Sequence, residues 1–449
     1  MNNLGMQKVN DMDENISISV ITYVKNGMPY IKECINSIRN QTLKNIEILV
    51  VDAGSTDGTE EYLKEICVID DRIKILKSTP SVGTQFNKAL VEAQGKYIAV
   101  CEADDYILPD AYEKLFYIAS NEDSDVIRSD YFQFFNKEKH ILRFHTHACT
   151  KKDCYEKKLE LKDNFFLKEG INGFWNGLYR RQFLIDNDIK MNETLGASYQ
   201  DIGFSFLCQY YAKSVYYSKE PFYCYRLDNP DASMNVSNRV DKIINEFVEL
   251  QKKLKEKNIW NQCYQEFFEW EIQAVRKAYI CMLKEEKTDI VMKIEKKIRD
   301  QIQEDNMQQS RSIFQKEIKE LISEQDREIE RIREYFLKIK EDKSMIVIFG
   351  AGFIGQIVSM ILEKVYEKDF VVVDNDKAIQ GTFFNCHLIL SPEEVVKEYP
   401  GAVYMIANVN HAVEIMEQLI KMGVNKEKIY ISNNDDILLR QILMKARIE

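Results

Sequence analysis

"GKYIAVCEADDYILPD" (residues 95–110) sets an apolar run, Tyr97 to Cys101, directly against three carboxylates, Glu102, Asp104 and Asp105. An uninterrupted apolar run bounded in this way reads as a strand buried on both faces. Carboxylates crowded at its end repel one another and resist desolvation unless a divalent cation sits among them. Oxygen ligands of this kind suit Mg²⁺ or Mn²⁺, which takes its remaining ligands from phosphates and water. A solvated acidic turn is the plain alternative, since Asp110 after Pro109 supplies an ordinary helix start.

The same pattern recurs upstream. "ISISVITYV" (16–24) and "NIEILVV" (45–51) are further apolar strands. Between them "MPYIKECINSIRN" (28–40) places Ile31, Cys34, Ile35 and Ile38 on one helical face. "GTEEYLKEI" (58–66), "RIKILKS" (72–78) and "GTQFNKALVEAQG" (83–95) continue the alternation. Strands alternating with helices give an α/β domain with a mostly parallel sheet, whose ligands lie beyond the carboxyl ends of the strands. Both "VVDAGSTDG" (50–58) and the acidic cluster fall at such ends. Asp52 there is placed to accept hydrogen bonds from a base or ribose, and Asp57 reads as the N-cap of the next helix.

These separated motifs, in this order, resemble family 2 glycosyltransferases with the GT-A fold over residues 16 to 225. The resemblance implies a nucleotide-diphospho-sugar transferase domain over 16–235 that binds a nucleotide-sugar donor. The first strand end, with Thr22, and Asp52 would hold the nucleoside. Asp104 and Asp105 would serve ribose and metal, Mn²⁺ or Mg²⁺. Glu102 stands in the donor site where the family often has Asp or Asn. "GASYQDIGFSF" (196–206) resembles the family's later motif, with Gln200 in place of its Glu and Asp201 as general base. An in-line, inverting displacement needs such a base on the acceptor side and charge neutralisation at the leaving diphosphate. Trp175 and Tyr199, with Gln200, are the acceptor-side candidates, because sugars stack their C–H faces on aromatics. Arg226 is a candidate to approach the diphosphate, or else a salt-bridge residue. The implied acceptor is a saccharide or lipid-linked saccharide of bacterial cell-surface polysaccharide or glycoconjugate synthesis. The implied location is the cytoplasm, with peripheral contact at the inner membrane face.

Farther on, residues 236–343 read as a helical segment. Ile318, Leu321, Ile322, Ile329 and Ile332 form a stripe that either buries against the chain or supports a homo-oligomer. From residue 344 a small Rossmann-like α/β domain is expected. "IFGAGFIGQIV" (348–358) places Gly350, Gly352 and Gly355 between a strand and a helix, and Asp374 ends the next strand. That arrangement fits a dinucleotide such as NAD(P), its pyrophosphate on the helix N-terminus and its ribose on the acid. "VVDNDKAIQGTFFNCHLILSPEEV" (372–395) resembles small domains attached to sugar-modifying enzymes. The competing function is therefore an NAD-dependent nucleotide-sugar oxidoreductase or epimerase, or a nucleotide-sensing module, centred here.

The bulk composition agrees with a multidomain chain. Its 449 residues exceed one ordinary core, and 61 Lys and Arg against 72 Asp and Glu give a net charge of −11, which argues against nucleic acid as a partner. The ten cysteines form no CxxC pair and read as reduced thiols of a cytosolic protein. Residues 1–15 are a polar tail without an apolar signal core. The uncharged stretch Met345 to Leu362 is long enough to suggest a membrane span, but its glycines and strand-like start favour the α/β domain. His140, His145 and His147, near Cys149 and Cys154, read as residues of a partly exposed strand rather than a zinc site, because no second ligand pair stands at finger spacing.

Overall fold

The computed structural model describes residues 16–137, 140–149, 152–161, 173–197, 199–229, 232, 239–280, 343–364, 367–384, 387–408 and 411–431. They belong to two compact units, one running to Glu271 and one from Ile272 onward. The polar tail and the stripe Ile318, Leu321, Ile322, Ile329 and Ile332 lie outside the described residues.

The first unit is built on β1 (Ile18–Val24), β2 (Ile46–Asp52), β3 (Ile73–Lys77) and β4 (Tyr97–Val100), joined by α1 (Ile31–Arg39), α2 (Thr59–Ile69) and α3 (Val82–Glu92). The four strands are parallel in the order β3-β2-β1-β4. Every residue of β1, β2 and β4 is buried, as the continuous apolar runs require of a sheet covered on both faces. On α1 the expected stripe Ile31, Cys34, Ile35 and Ile38 is the buried one. The start of α2 departs slightly from expectation. Gly58, at φ 96°, is the N-cap, while Asp57 accepts the Thr59 N–H on one oxygen and the Met28 N–H on the other.

Beyond β4 the sheet turns mixed. β5 (Tyr106–Ile107), α4 (Ala111–Glu122), β6 (Val126–Lys137), β7 (His140–Thr146), β8 (Lys158–Glu160), β9 (Gly177–Arg180), α5 (Arg181–Asp186), α6 (Asp201–Tyr211) and β10 (Ser214–Arg226) follow. The order continues β4-β9-β6-β10-β5, with β9 antiparallel to both β4 and β6, and with β7 on β6 and β8 on β10. β10 thereby runs parallel to β6 and ends beside the turn after β4.

The unit does not stop near residue 235, where the sequence suggested a break. α7 (Arg239–Glu256) and the first half of α8 (Trp260–Ile280) complete its core. The buried Glu246 on α7 accepts hydrogen bonds from Asn192 Nδ2 (2.8 Å) and the Thr194 hydroxyl, holding the segment that leads into α6. Phe206 of α6 meets Trp270 of α8 edge-on at 5.3 Å.

The second unit contains β11 (Ile346–Phe349), α9 (Phe353–Lys364), β12 (Phe370–Val373), β13 (Phe383–Phe384), β14 (His387–Leu390), α10 (Pro392–Glu398), β15 (Val403–Ile406), α11 (Ala412–Lys421) and β16 (Ile429–Ile431). Its sheet order is β13-β14-β12-β11-β15-β16, parallel except for the β13–β14 hairpin. The order reverses at β11, so a crevice opens beyond the ends of β11 and β15. "SPEE" forms a capping box, Ser391 and Glu394 each satisfying the other's backbone N–H. Met345 to Leu362 is a strand, a turn and a helix, and among the described residues no helix is long and apolar enough to cross a membrane.

Gly177 shows how closely β9 and β6 approach, since a Cβ there would stand 1.9 Å from the Ile127 carbonyl oxygen. Gly177→Ala is expected to destabilise the protein by about 1–3 kcal/mol through overpacking, read as a lower denaturant midpoint.

Candidate functional site

The turn after β4 holds the three carboxylates in different environments. Asp105 is 1% exposed. Its Oδ2 accepts the Tyr223 O–H (2.6 Å) and its Oδ1 the Arg226 N–H (2.7 Å), both from β10. Burial, then the charges of Asp104 and Glu102, lift its pKa well above the usual carboxylate range. With both oxygens taken it anchors the turn. In this placement β10 holds the carboxylate inside the protein.

Glu102 and Asp104 are only partly buried. Glu102 Oε1 accepts the Tyr23 O–H at 2.6 Å, and Asp104 Oδ2 accepts from Asn229 Nδ2 at 2.7 Å. Their other oxygens, Oε2 and Oδ1, have no partner among the described residues. Burial, then repulsion from Asp104 and Asp201, pushes Glu102 up to about 8, while the Tyr23 hydrogen bond works the other way. Glu102 is thus a full member of the cluster.

Asp201 opens α6. Burial raises it to about 6, offset in part by its own N–H and that of Ile202 at the helix N-terminus. Its charge is felt by both Glu102 and Tyr23. The structure therefore brings Asp201, distant in sequence, into the electrostatic field of the β4 turn.

Other expected contacts lie elsewhere. Thr22 is fully buried within β1, its hydroxyl without a partner among the described residues, and the neighbouring Tyr23 is the residue that reaches Glu102. Asp52 is also fully buried. Its Oδ1 accepts the Ser55 N–H and O–H, and its Oδ2 pairs with Lys77 at 2.6 Å, so it shapes the turn after β2. Trp175 is sandwiched in an aromatic stack, 4.3 Å from Tyr223 and 4.9 Å from Tyr225, with Tyr131 edge-on. Gln200 spends its amide on the carbonyls of Thr194 and Gly196. Tyr199 is partly exposed and has a left-handed φ of 65°.

Arg226 is 3% exposed and packs between the Tyr30 and Phe134 rings, 4.6 and 4.5 Å from their centroids. Its Nε donates to the Asp104 carbonyl (2.6 Å), and its other nitrogens pair with Glu33 and Asp228. It clamps the carboxylate turn from beneath. Sequence reasoning missed Tyr23, Tyr223 and Tyr225. Tyr225 is partly exposed, and Glu102, Asp105 and Asp104 all raise its pKa after burial. The alternating aromatics of "FYCYR" (222–226) were its available signal.

In the second unit, the crevice is a cavity of about 370 Å³ lined by Gly350, Asp374, Asn375, Asn408, His411 and Gln418 among others. Gly350 has φ 117°, and a Cβ on Gly355 would lie 2.0 Å from the Gly350 carbonyl oxygen. Gly352 faces open space. Asp374 accepts the Ala351 N–H (2.8 Å) and the Asp376 N–H (2.9 Å), one on each oxygen.

The geometry agrees with what the chain is similar to. Residues 19–187 match the Glycosyl transferase family 2 model, and residues 342–430 match the model described as C2185-like, N-terminal. The chain is 31% identical over 220 residues to the putative glycosyltransferase EpsH of Bacillus subtilis, covering 48% of this chain and 62% of that protein. It is 27% identical over 270 residues to the cholesterol galactosyltransferase of Borreliella burgdorferi, covering 58% and 74%. The chain thus spans less than two thirds of the length of the EpsH relative. Among solved structures, S. aureus TarS 1–349 in complex with UDP-GlcNAc is 19% identical, with 63% of this chain and 92% of that one covered and a TM-score of 0.41.

Arg226→Lys keeps the charge but loses the planar fork. It is expected to cost about 1.5–3 kcal/mol, the range for hydrogen bonds to charged groups, measured by chemical denaturation.

Proposed function

We propose that the chain is an inverting, metal-dependent glycosyltransferase that moves a sugar from a nucleotide-sugar donor to an acceptor hydroxyl. What carries this is the convergence of Glu102, Asp104 and Asp201 in one electrostatic neighbourhood at the carboxyl end of β4. Glu102 and Asp104 lie within the stretch that matches the family 2 model, and Asp201 follows it in the chain.

Glu102 and Asp104 would hold Mn²⁺ or Mg²⁺ with the donor diphosphate. The fit rests on the one oxygen of each that has no partner among the described residues; burial, then the Asp104 charge, raise the Glu102 pKa, and a cation between them would oppose that rise. When bound, the ion would neutralise charge on the leaving diphosphate. Asp105 keeps the turn in place. Asp201, its carboxylate oriented by the first turn of α6, takes the proton from the acceptor hydroxyl as that oxygen attacks the anomeric carbon. A base on the face opposite the leaving group gives inversion. Tyr225 and Tyr199, rather than the enclosed Trp175, offer aromatic surface to sugar. One relative is, by its name, a cholesterol galactosyltransferase; the acceptor proposed for this chain is a hydroxyl on a cell-surface saccharide or lipid-linked saccharide.

Asp201→Asn is expected to lower transfer about 10²–10⁴-fold while leaving metal-dependent donor binding intact. A matching loss of donor binding would remove Asp201 from the base role. In the wild type, kcat/KM should fall as pH drops through about 6, because only the ionised Asp201 accepts a proton. Asp104→Asn should abolish the Mn²⁺-dependent thermal stabilisation by UDP-, GDP-, dTDP- or CDP-sugars, and retained stabilisation would exclude Asp104 as a ligand.

The second unit favours a ligand-binding, Rossmann-like module over a second enzyme, on the strength of its strand-end cavity. With each Asp374 oxygen already accepting a backbone N–H, a dinucleotide ribose would compete with the glycine turn for that acid. NAD(H) titrated calorimetrically into the full-length protein is expected to bind weakly. Tight binding, lost in Asp374→Ala, would restore the dinucleotide assignment.

A further inference from the structure

We propose that Asp130, His145 and His147 form a second metal site, for a divalent transition metal of the zinc type, which staples β7 and the segment after it to β6.

Asp130 stands on β6 with 0% exposure. Its Oδ1 accepts the Ala148 N–H (2.8 Å) and the Tyr155 O–H (2.6 Å). Its Oδ2 meets two imidazoles, His145 Nε2 at 2.8 Å and His147 Nδ1 at 2.7 Å. His145 lies opposite Phe132 in the β6–β7 ladder, and His147 follows two positions on, so alternation puts both rings on one side. The three candidate ligand atoms lie within 4.8 Å of one another.

Electrostatics asks for a cation here. A fully buried carboxylate must be paired. Among the described residues, the ion-pair partners of Asp130 are these two histidines alone. They supply charge only when protonated, whereas a bound metal compensates Asp130 with both imidazoles neutral. Two imidazole nitrogens and one carboxylate oxygen suit zinc-type ions better than Mg²⁺. The Tyr155 and Ala148 donors fix the carboxylate as hydrogen-bonding groups around metal ligands commonly do. Bonds of about 2.0–2.1 Å to a tetrahedral ion separate ligand atoms by roughly 3.3 Å. The rings must therefore swing out by about half an ångström. Their exposure, 44% and 66% of the side chain, gives them room and leaves further positions to water. Neither Cys149 nor Cys154 belongs to the cluster among the described residues.

The role is positional. The next residue on β6, Tyr131, packs edge-on against Trp175, which stacks under Tyr223 and Tyr225. Fixing β6 and β7 therefore steadies the aromatic platform beneath the donor carboxylates.

The test uses full-length protein stripped with chelator, then titrated with Zn²⁺ and, spectroscopically, with Co²⁺. One tight equivalent is expected, and Asp104→Asn should leave it unchanged. His147→Gln, at an exposed position and with unaltered circular dichroism, should weaken it by about a hundredfold. The Co²⁺ protein should show hyperfine-shifted imidazole proton resonances, a readout that needs no variant. Absence of a tight equivalent, its loss in Asp104→Asn, or full affinity in His147→Gln would overturn the proposal.

Discussion

The first unit depends on one buried carboxylate. Asp105 is held by the Tyr223 O–H and the Arg226 N–H. The Tyr223 oxygen also accepts the Glu102 N–H at 3.0 Å. A single strand thus ties down both ends of the acidic turn. Removing one partner would leave a buried charge or acceptor unpaired, which costs more than the net worth of the bond lost. Asp105 is fixed inward, while Glu102 and Asp104 are partly exposed, each with one oxygen unpartnered among the described residues. Burial first, then the charges of these carboxylates, raise the pKa values of Tyr23 and Tyr225.

Much of the architecture was legible because buried parallel strands leave continuous apolar runs and amphipathic helices leave stripes. The α1 stripe and the strands β1, β2 and β4 were read directly from the sequence. The end of the unit was not. α7 is plainly amphipathic, with Val240, Phe247, Leu250 and Leu254 fully buried, but periodicity shows that a face is covered and never by what. Its partners, Asn192 and Thr194, lie some fifty positions upstream.

The site was half legible for the same reason. Asp104 and Asp105 are adjacent and chemically identical, and only β10, more than a hundred residues on, distinguishes them. Trp175 and Gln200 carried the right chemistry for an acceptor face, yet aromatic stacking and two carbonyls occupy them. "HTH" (145–147) was visible, but its third member, Asp130, sat in an ordinary strand segment, "RSDYF" (128–132). That is why the histidines alone argued for a strand and no more.

A common criterion separates ligands from scaffolding across both units. Asp52 and Asp374 each end a parallel strand, where a nucleotide would be sought, and each has both oxygens engaged: Asp52 by Ser55 in the turn that follows and by Lys77, Asp374 by Asp376 in the turn that follows and by Ala351 in the glycine turn after β11. Both Asp105 oxygens are engaged by β10. A strand-end acid with both oxygens engaged sets the shape of a loop, and the neighbours it positions meet the ligand. By this measure Glu102 and Asp104, each with one oxygen unpartnered among the described residues, are the groups proposed to meet the ligand, and Asp201 is proposed as the base on its electrostatic proximity to Glu102. Position in a motif nominates an acid, and the state of its oxygens decides between the two roles.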